Sequence, residues 1–456
     1  MVKSMLPINT VDKKPFWDML SHFQPCYPVP SRKVFSDMIV PSIANTKEII
    51  QTELLSGRYV SFTTDIWTES KTNYSFISVT AHWINAHWLR RDFVLDTPHF
   101  PGSHTAVRIA EKLQQVLVDW SLMGEGKPDG TDAQMVVRDG AKNMLAGCRN
   151  VPIDSIHCII HLLQLVVKDA VFKDSGCARV VKKCRTLVAF LHHSARATSA
   201  FREKQVVMLG VHVTATKLLV GDVCTRWNST FLMLRRIQLL EQAILCFQDD
   251  EVDLPAVISS WDESKSLDAN DFFVISSIIT VLEPFFHVTE VLSSNKVHCG
   301  MGVMQINWLR RELESVDNPR MQRLKQHLIT QLKRRFYSSN PGESAGPNAS
   351  VQYNIMTDPR YTIPALLHPA IKTTAITEQE ARMKALTELR EEMVKLAKKK
   401  QDEEDAKLRR KRAHEEQSSS QSQSQTKPTP QPTHQKRRCS MLDMIEEGSD
   451  DGKSSW

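Results

Sequence analysis

The run YVSFTTDIWTES, residues 59–70, decides how the rest of the chain is read. Before it the apolar residues follow helical spacing. From Tyr59 the period changes to two, the alternation of a half-buried strand rich in β-branched and aromatic side chains. SFISVTAHWI and DFVLDTPHF repeat that alternation after short polar breaks, which predicts three consecutive strands in an antiparallel meander. Asp65 closes the first strand as far as YVSFTTD, and Asp139 closes a later one, AQMVVRD, so two carboxylates stand at strand ends.

Outward from these strands the periods alternate again. IAEKLQQVLVDW is helical, AQMVVRD is extended, AKNMLAG is a short helix with a glycine stop, and IHCIIHLLQLVVKDAV is a brief strand feeding a helix. The order β, β, β, α, β, α, β, α is that of an RNase H-like mixed sheet. Upstream, Phe16, Trp17, Leu20 and Phe23 share a helical face, PCYPVPSR breaks it, and a helix is predicted from Val34 to about Leu55. Downstream, residues 177–320 are helical by period, SSNPGESAGPNAS is a linker, and DPRYTIPALLHPAI reads as a compact extended or turn-rich piece. The expected class is α/β plus α. A helical segment covers 1–58, an RNase H-like domain 59–205, an all-helical insertion domain 206–376, a charged helix 377–416, and a disordered basic tail 417–456.

Composition limits function more than it announces it. Fifty-eight Lys and Arg against 52 Asp and Glu leave a net charge of +6, so the clustering of charge carries more information than its sum. No secretory signal opens the sequence, and no stretch reaches the roughly 18 apolar residues of a membrane span, so no membrane role is expected. Nine scattered Cys without a CxxC pair fit reduced thiols and give no recognisable zinc site.

Asp65 and Asp139 are the residues on which phosphodiester chemistry would rest. Hard Mg2+ prefers oxygen ligands, and strand-end carboxylates in one sheet can share such a cation. The plainer alternative is that each is a strand-end or helix-capping Asp, a position this residue favours.

TTDIWTES (63–70), RDGAKNM (138–144), HCIIHLLQLVVKDAV (157–171), TRWNST (225–230), VLEPFFHVTEVLS (281–293) and DPRY (358–361) resemble, in order, the landmark blocks of hAT-superfamily transposases and the BED-finger proteins domesticated from them. That resemblance implies that Asp65 and Asp139 are metal-binding catalytic carboxylates. It implies that Cys158 and His161 sit beside the DNA strand, where the residues alone suggest core packing and a polar helix position. It also implies that Arg226 and Trp227 reach over the active site, where Trp227 by itself reads equally well as a residue buried between helices.

The chain also departs from the family pattern. No BED finger precedes residue 60 and no C-terminal dimerisation segment is recognised, so a homodimer rests on the resemblance alone. The third carboxylate is unidentified, with Glu388, Glu391 and Glu392 in TELREEMVKL as weak matches. Leu386, Leu389, Met393 and Leu396 make a two-heptad seam, too short to sustain a coiled coil, so an exposed, salt-laced helix is expected. Lys398–Lys400, Arg409–Arg412 and Lys436–Arg438 are basic clusters that fit nuclear import or phosphate contact. The expectation is a nuclear, transposase-derived protein that binds double-stranded DNA or regulates without catalysis. A Mg2+-dependent transposase or endonuclease and a helical interaction scaffold are the alternatives.

Overall fold

A computed structural model describes residues 7–124, 132–249, 266–294, 297–337 and 354–420. The chain divides into two compact units, residues 1–161 and 162–456.

The first unit begins with a short 3-10 turn, α1 (Lys14–Phe23) and α2 (Arg32–Leu55). The expected meander follows as β1 (Tyr59–Thr68), β2 (Ser75–Ile84) and β3 (Arg90–Asp96), then α3 (Ala106–Asp119), β4 (Asp132–Arg138), α4 (Lys142–Arg149) and β5 (Asp154–His157). The strands make one mixed sheet in the order β3-β2-β1-β4-β5, antiparallel from β3 through β1 and parallel from β1 through β5. Alternation decides which residues enter the core. Val60 and Phe62 of β1, Ile77, Val79, Ala81 and Trp83 of β2, and Val136 of β4 turn to the face covered by Ile109, Leu113 and Val116 of α3 and Met144 and Cys148 of α4.

Three local expectations change. β1 does not end at Asp65: it stays paired with β2 as far as Thr68↔Ser75, while its pairing with β4 stops at Thr63↔Val137. Gly147 does not stop α4 but lies inside it, where an added Cβ would meet Ile109 Cγ2 at 2.7 Å, so the glycine lets α3 and α4 approach. Residues 358–371 are not extended throughout. Asp358 caps α13 (Pro359–Leu367) by accepting from the Arg360 N–H, and Pro359 stands in the first turn, where a missing N–H costs nothing.

The second unit takes up α5 (Ile159–Val167) after its first turn, and a π-helical turn at Lys168–Phe172 prolongs that helix. Then come α6 (Ser175–His193), α7 (Ala195–Leu209), α8 (Trp227–Leu239), α9 (Glu241–Gln248), α10 (Ala269–Leu292), α11 (Cys299–Ser315), α12 (Gln322–Phe336), α13 and α14 (Gln379–Ser420). α10 is central and packs on α6, α8 and α11 through Phe272, Ile275, Ile278, Val281, Leu282 and Phe285. Contrary to the expectation from composition, α10 is long and apolar enough to cross a membrane, with a mean hydropathy of 1.7, yet 56% of that window is buried inside the protein. Its N-terminus is tied by a capping box between Asp268 and Asp271, and Lys183 Nζ lies 2.6 Å from the fully buried Asp271 carboxylate. α14 is the charged helix, with Leu386, Met393 and Leu396 exposed along its seam. The linker at 338–350 and the tail from 421 onward, including Lys436–Arg438, lie outside the described residues.

Candidate functional site

Register across the parallel strands brings the candidate residues of the first unit to one level. Thr63 pairs with Val137, and Arg138 pairs with His157. Two residues beyond the first pair stand Asp65 and Asp139, and one residue beyond the second stand Asp139 and Cys158. All three therefore lie just past the C-terminal end of the parallel pairing among β1, β4 and β5, whose adjacent strands are about 4.8 Å apart. The Cys158 N–H donates to the Arg138 carbonyl at 2.7 Å, which fixes Cys158 at that end.

Electrostatics report the same proximity. Burial pushes the Cys158 thiol above its ordinary value, and the charges of Asp65 and Asp139 push it further, against backbone hydrogen bonds from His161 and Ile160. Each carboxylate has its Oδ1 anchored by a backbone donor, Ile66 N–H at 3.0 Å for Asp65 and Ala141 N–H at 3.1 Å for Asp139. Asp65 is exposed and Asp139 half-buried. Two oxygen-donor side chains at the ends of neighbouring strand pairings are of the kind a hard divalent cation prefers. Among the described residues, no group of three or more His, Cys, Asp or Glu is arranged to hold a metal ion.

Three residues that sequence reasoning passed over shape this edge. Arg138 is only 1% exposed, donating through Nε to Ser155 Oγ at 3.1 Å and through Nη1 to the Asp139 carbonyl at 2.8 Å, so a buried guanidinium braces the turn that carries Asp139. Gly140 follows because the His157 ring occupies the place of a side chain: a Cβ there would lie 2.4 Å from His157 Nε2. His157 is buried, with its ring 5.9 Å from that of His161. The signal available in sequence was the basic residue and glycine that flank the aspartate in RDG and the histidine before the cysteine in HC. Neither discloses its partner before the strands are paired.

The remaining candidates lie in the second unit. Trp227 is 2% exposed, edge-on to Phe231 and Phe285, and its backbone N–H donates to Gln164 Oε1 at 3.0 Å, so the indole is part of the helical core. Arg226, at the N-terminal cap of α8, is exposed. Glu388, Glu391 and Glu392 lie on α14, where Glu388 is 3.8 Å from Lys384 and Glu392 is 2.8 Å from Lys395.

Residues 63–125 match the model of the ZBED1 RNase-like domain, and residues 156–269 match that of the ZBED1 RNase-like helical domain. The RNase-like match fits the mixed five-stranded sheet, of which it covers the end of β1 with β2 and β3. The chain is 25% identical to the maize (Zea mays) protein named "Putative AC transposase" over 301 residues, 64% of this chain and 35% of that one. It is 22% identical to human (Homo sapiens) zinc finger BED domain-containing protein 4 over 395 residues, 82% of this chain and 30% of that one. It is 24% identical to the "Putative transcriptional regulator tpeD" of Talaromyces stipitatus over 329 residues, 64% of this chain and 37% of that one. These similarities support descent from a hAT-type, ZBED-like transposase. It spans about a third of the length of these curated relatives.

Proposed function

We propose that this chain is a nuclear, DNA-binding protein of transposase descent that holds a divalent cation between Asp65 and Asp139 and does not itself cut DNA. The observation that carries the proposal is the register that puts Asp65, Asp139 and Cys158 just past the C-terminal end of the parallel strand pairing. A cation there would offset the charge of the two carboxylates and let a phosphate approach. Arg138 and the His157–Gly140 contact hold the edge in shape; they touch no substrate. Lys398–Lys400 and Arg409–Arg412 are exposed on α14 and supply phosphate contacts and an import signal. The name of the Talaromyces relative, a putative transcriptional regulator, favours a regulatory role over a purely structural one. An insertion-type helical domain belongs to the same proposal, as does Cys158–His161 standing beside the bound strand.

Phosphoryl transfer of this kind draws on charge stabilisation by metal ions at both the attacking and leaving oxygens, and two carboxylates give a second cation only a weak site. The test is a binding and nicking assay on labelled double-stranded DNA. Affinity is expected to fall steeply from low to physiological salt, to drop when residues 398–438 are deleted, and to be accompanied by no cleavage in Mg2+ or Mn2+. The same Asp pair supports a second reading, a Mg2+-dependent endonuclease. Cleavage that disappears in Asp65→Ala would establish it and would direct the search for a third ligand to Glu388, Glu391 and Glu392. Salt-insensitive or absent binding would leave the helical scaffold.

A further inference from the structure

The edge of the sheet remote from Asp139 and Cys158 is β3, which reads RRDFVLD from Arg90 to Asp96. Among the described residues no strand lies beyond it. Leu89 through Val94 are all exposed, and three of them are apolar: Leu89 at 56%, Phe93 at 38% and Val94 at 52%. An edge strand offers its outer N–H and C=O groups to any other strand, and proteins usually block it with charged side chains, Pro or a bulge. β3 contains no Pro, and its charges, Arg90, Arg91 and Asp92, are of both signs. Its bulge falls at Leu95, where the register with β2 passes from Val94 to Asp96, so the exposed run ahead of it is regular.

The turn before β3 sets which way its backbone points. Asn85 N–H donates to the Leu89 carbonyl at 3.0 Å, and Leu89 N–H donates to Asn85 Oδ1 at 3.0 Å, so Leu89 turns both groups toward the β2 side. Antiparallel ladders alternate, which turns the backbone groups of Arg91 and Phe93 toward β2 and those of Arg90 and Asp92 outward. Side chains alternate with the same period. Arg90 stands opposite Ile84 and Asp92 opposite His82 on one face, while Arg91 and Phe93 stand opposite the buried Trp83 and Ala81 on the other. Arg91 is already engaged within its own chain, its Nε 2.6 Å from Glu53 Oε1 of α2.

We propose that two copies of this chain pair antiparallel through β3, about a two-fold axis at Arg91, and join their sheets into one. That axis sets Arg90 of each copy opposite Asp92 of the other, giving two oppositely charged pairs on one face. On the other face it sets Leu89 opposite Phe93, twice. Arg91 meets its own equivalent, with each charge offset by the Glu53 of its own chain. The outward backbone groups of Arg90 and Asp92 become the hydrogen-bonded pairs of the new ladder. A partner strand must bring acid to Arg90 and base to Asp92 two residues apart, and β3 itself, turned about the axis, does so; this selects a second copy as the occupant. Contact through one strand is smaller than the about 800 Å² per partner of a standard interface, so dimerisation is expected in the micromolar range. The surface lies on the sheet, away from any C-terminal segment, and needs neither metal nor DNA.

The test is sedimentation velocity of the full chain over a concentration series from low to high micromolar. The wild-type chain is expected to pass from monomer to dimer. Arg90→Asp and Asp92→Arg each set like charges opposite one another in the homodimer, and each is expected to weaken dimerisation at least about tenfold. Mixed in equal amounts, the two variants meet with opposite charges again and are expected to dimerise with near wild-type affinity. That recovery separates pairing from a folding defect, and matching thermal transitions check folding independently. A wild-type chain that stays monomeric throughout overturns the proposal and leaves the edge to a strand of another protein. Single variants that dimerise as well as wild type overturn it too, as does a mixture that fails to recover.

Discussion

Asp65 and Trp227 each stand in a short block that resembles the same family, TTDIWTES for one and TRWNST for the other, and the structure gives them opposite surroundings. Asp65 is exposed at a sheet edge, level with Asp139 and within electrostatic reach of Cys158. Trp227 is enclosed by Phe231 and Phe285 in a helical core. A landmark block can therefore mark a side chain that meets a ligand or one that holds the scaffold, and burial separates the two. The sheet edge is therefore expected to tolerate exchange of its functional groups, and the helical unit to be destabilised by exchange of its landmark.

That contrast can be broken by measurement. Trp227→Ala should carry the largest cost, about 3–5 kcal/mol by denaturant unfolding, because it empties a site among aromatic neighbours. A loss under about 1 kcal/mol would mean that the indole is not a core residue. Gly140→Ala should cost about 1–3 kcal/mol, since the new methyl must displace the buried His157 ring, and the change should be visible in the His157 imidazole resonances.

Asp222→Asn sharpens the helical side of the contrast. Burial alone would raise this carboxyl, yet hydrogen bonds from Arg185 and Thr230 outweigh it and hold it below the ordinary aspartate value. A depressed folded-state value means that the stabilisation is present above the unfolded value near pH 4 and is lost as pH falls through the lower folded value. The variant should be less stable than wild type by about 1 kcal/mol at neutral pH, and the difference should shrink below pH 4. An unchanged difference at pH 3 would show that the Arg185 pair is not its source. Asp65→Ala should have the smallest effect on stability, within about 0.5 kcal/mol, as befits an exposed carboxylate. A larger loss would place Asp65 in the scaffold alongside Trp227.

The strands were legible because alternation in β1 and β2 is uninterrupted and each carries β-branched residues on the buried face. The candidate pair was legible only with the resemblance, since a strand-end aspartate has several ordinary uses. What escaped depends on long-range partners. α13 looked extended because Pro359 and Pro364 dominate its composition, while its signal lay in the single capping bond from Arg360 N–H to Asp358. Gly147 resembles a helix stop in sequence and becomes a packing contact only once Ile109 is placed against it. The continuation of β1 past Asp65 was hidden for a different reason: one edge of the strand loses its neighbour well before the other does.

α14 runs unbroken for 42 residues, so it is a ruler as well as a carrier of charge. At about 1.5 Å per residue, Lys398–Lys400 and Arg409–Arg412 are centred roughly 17 Å apart, about three helical turns. On the DNA-binding proposal, at about 3.4 Å of duplex axis per base pair, the two clusters would meet phosphates about five base pairs apart along the axis. On that proposal the helix would set a minimum footprint: a duplex shorter than that interval could satisfy one cluster but not both.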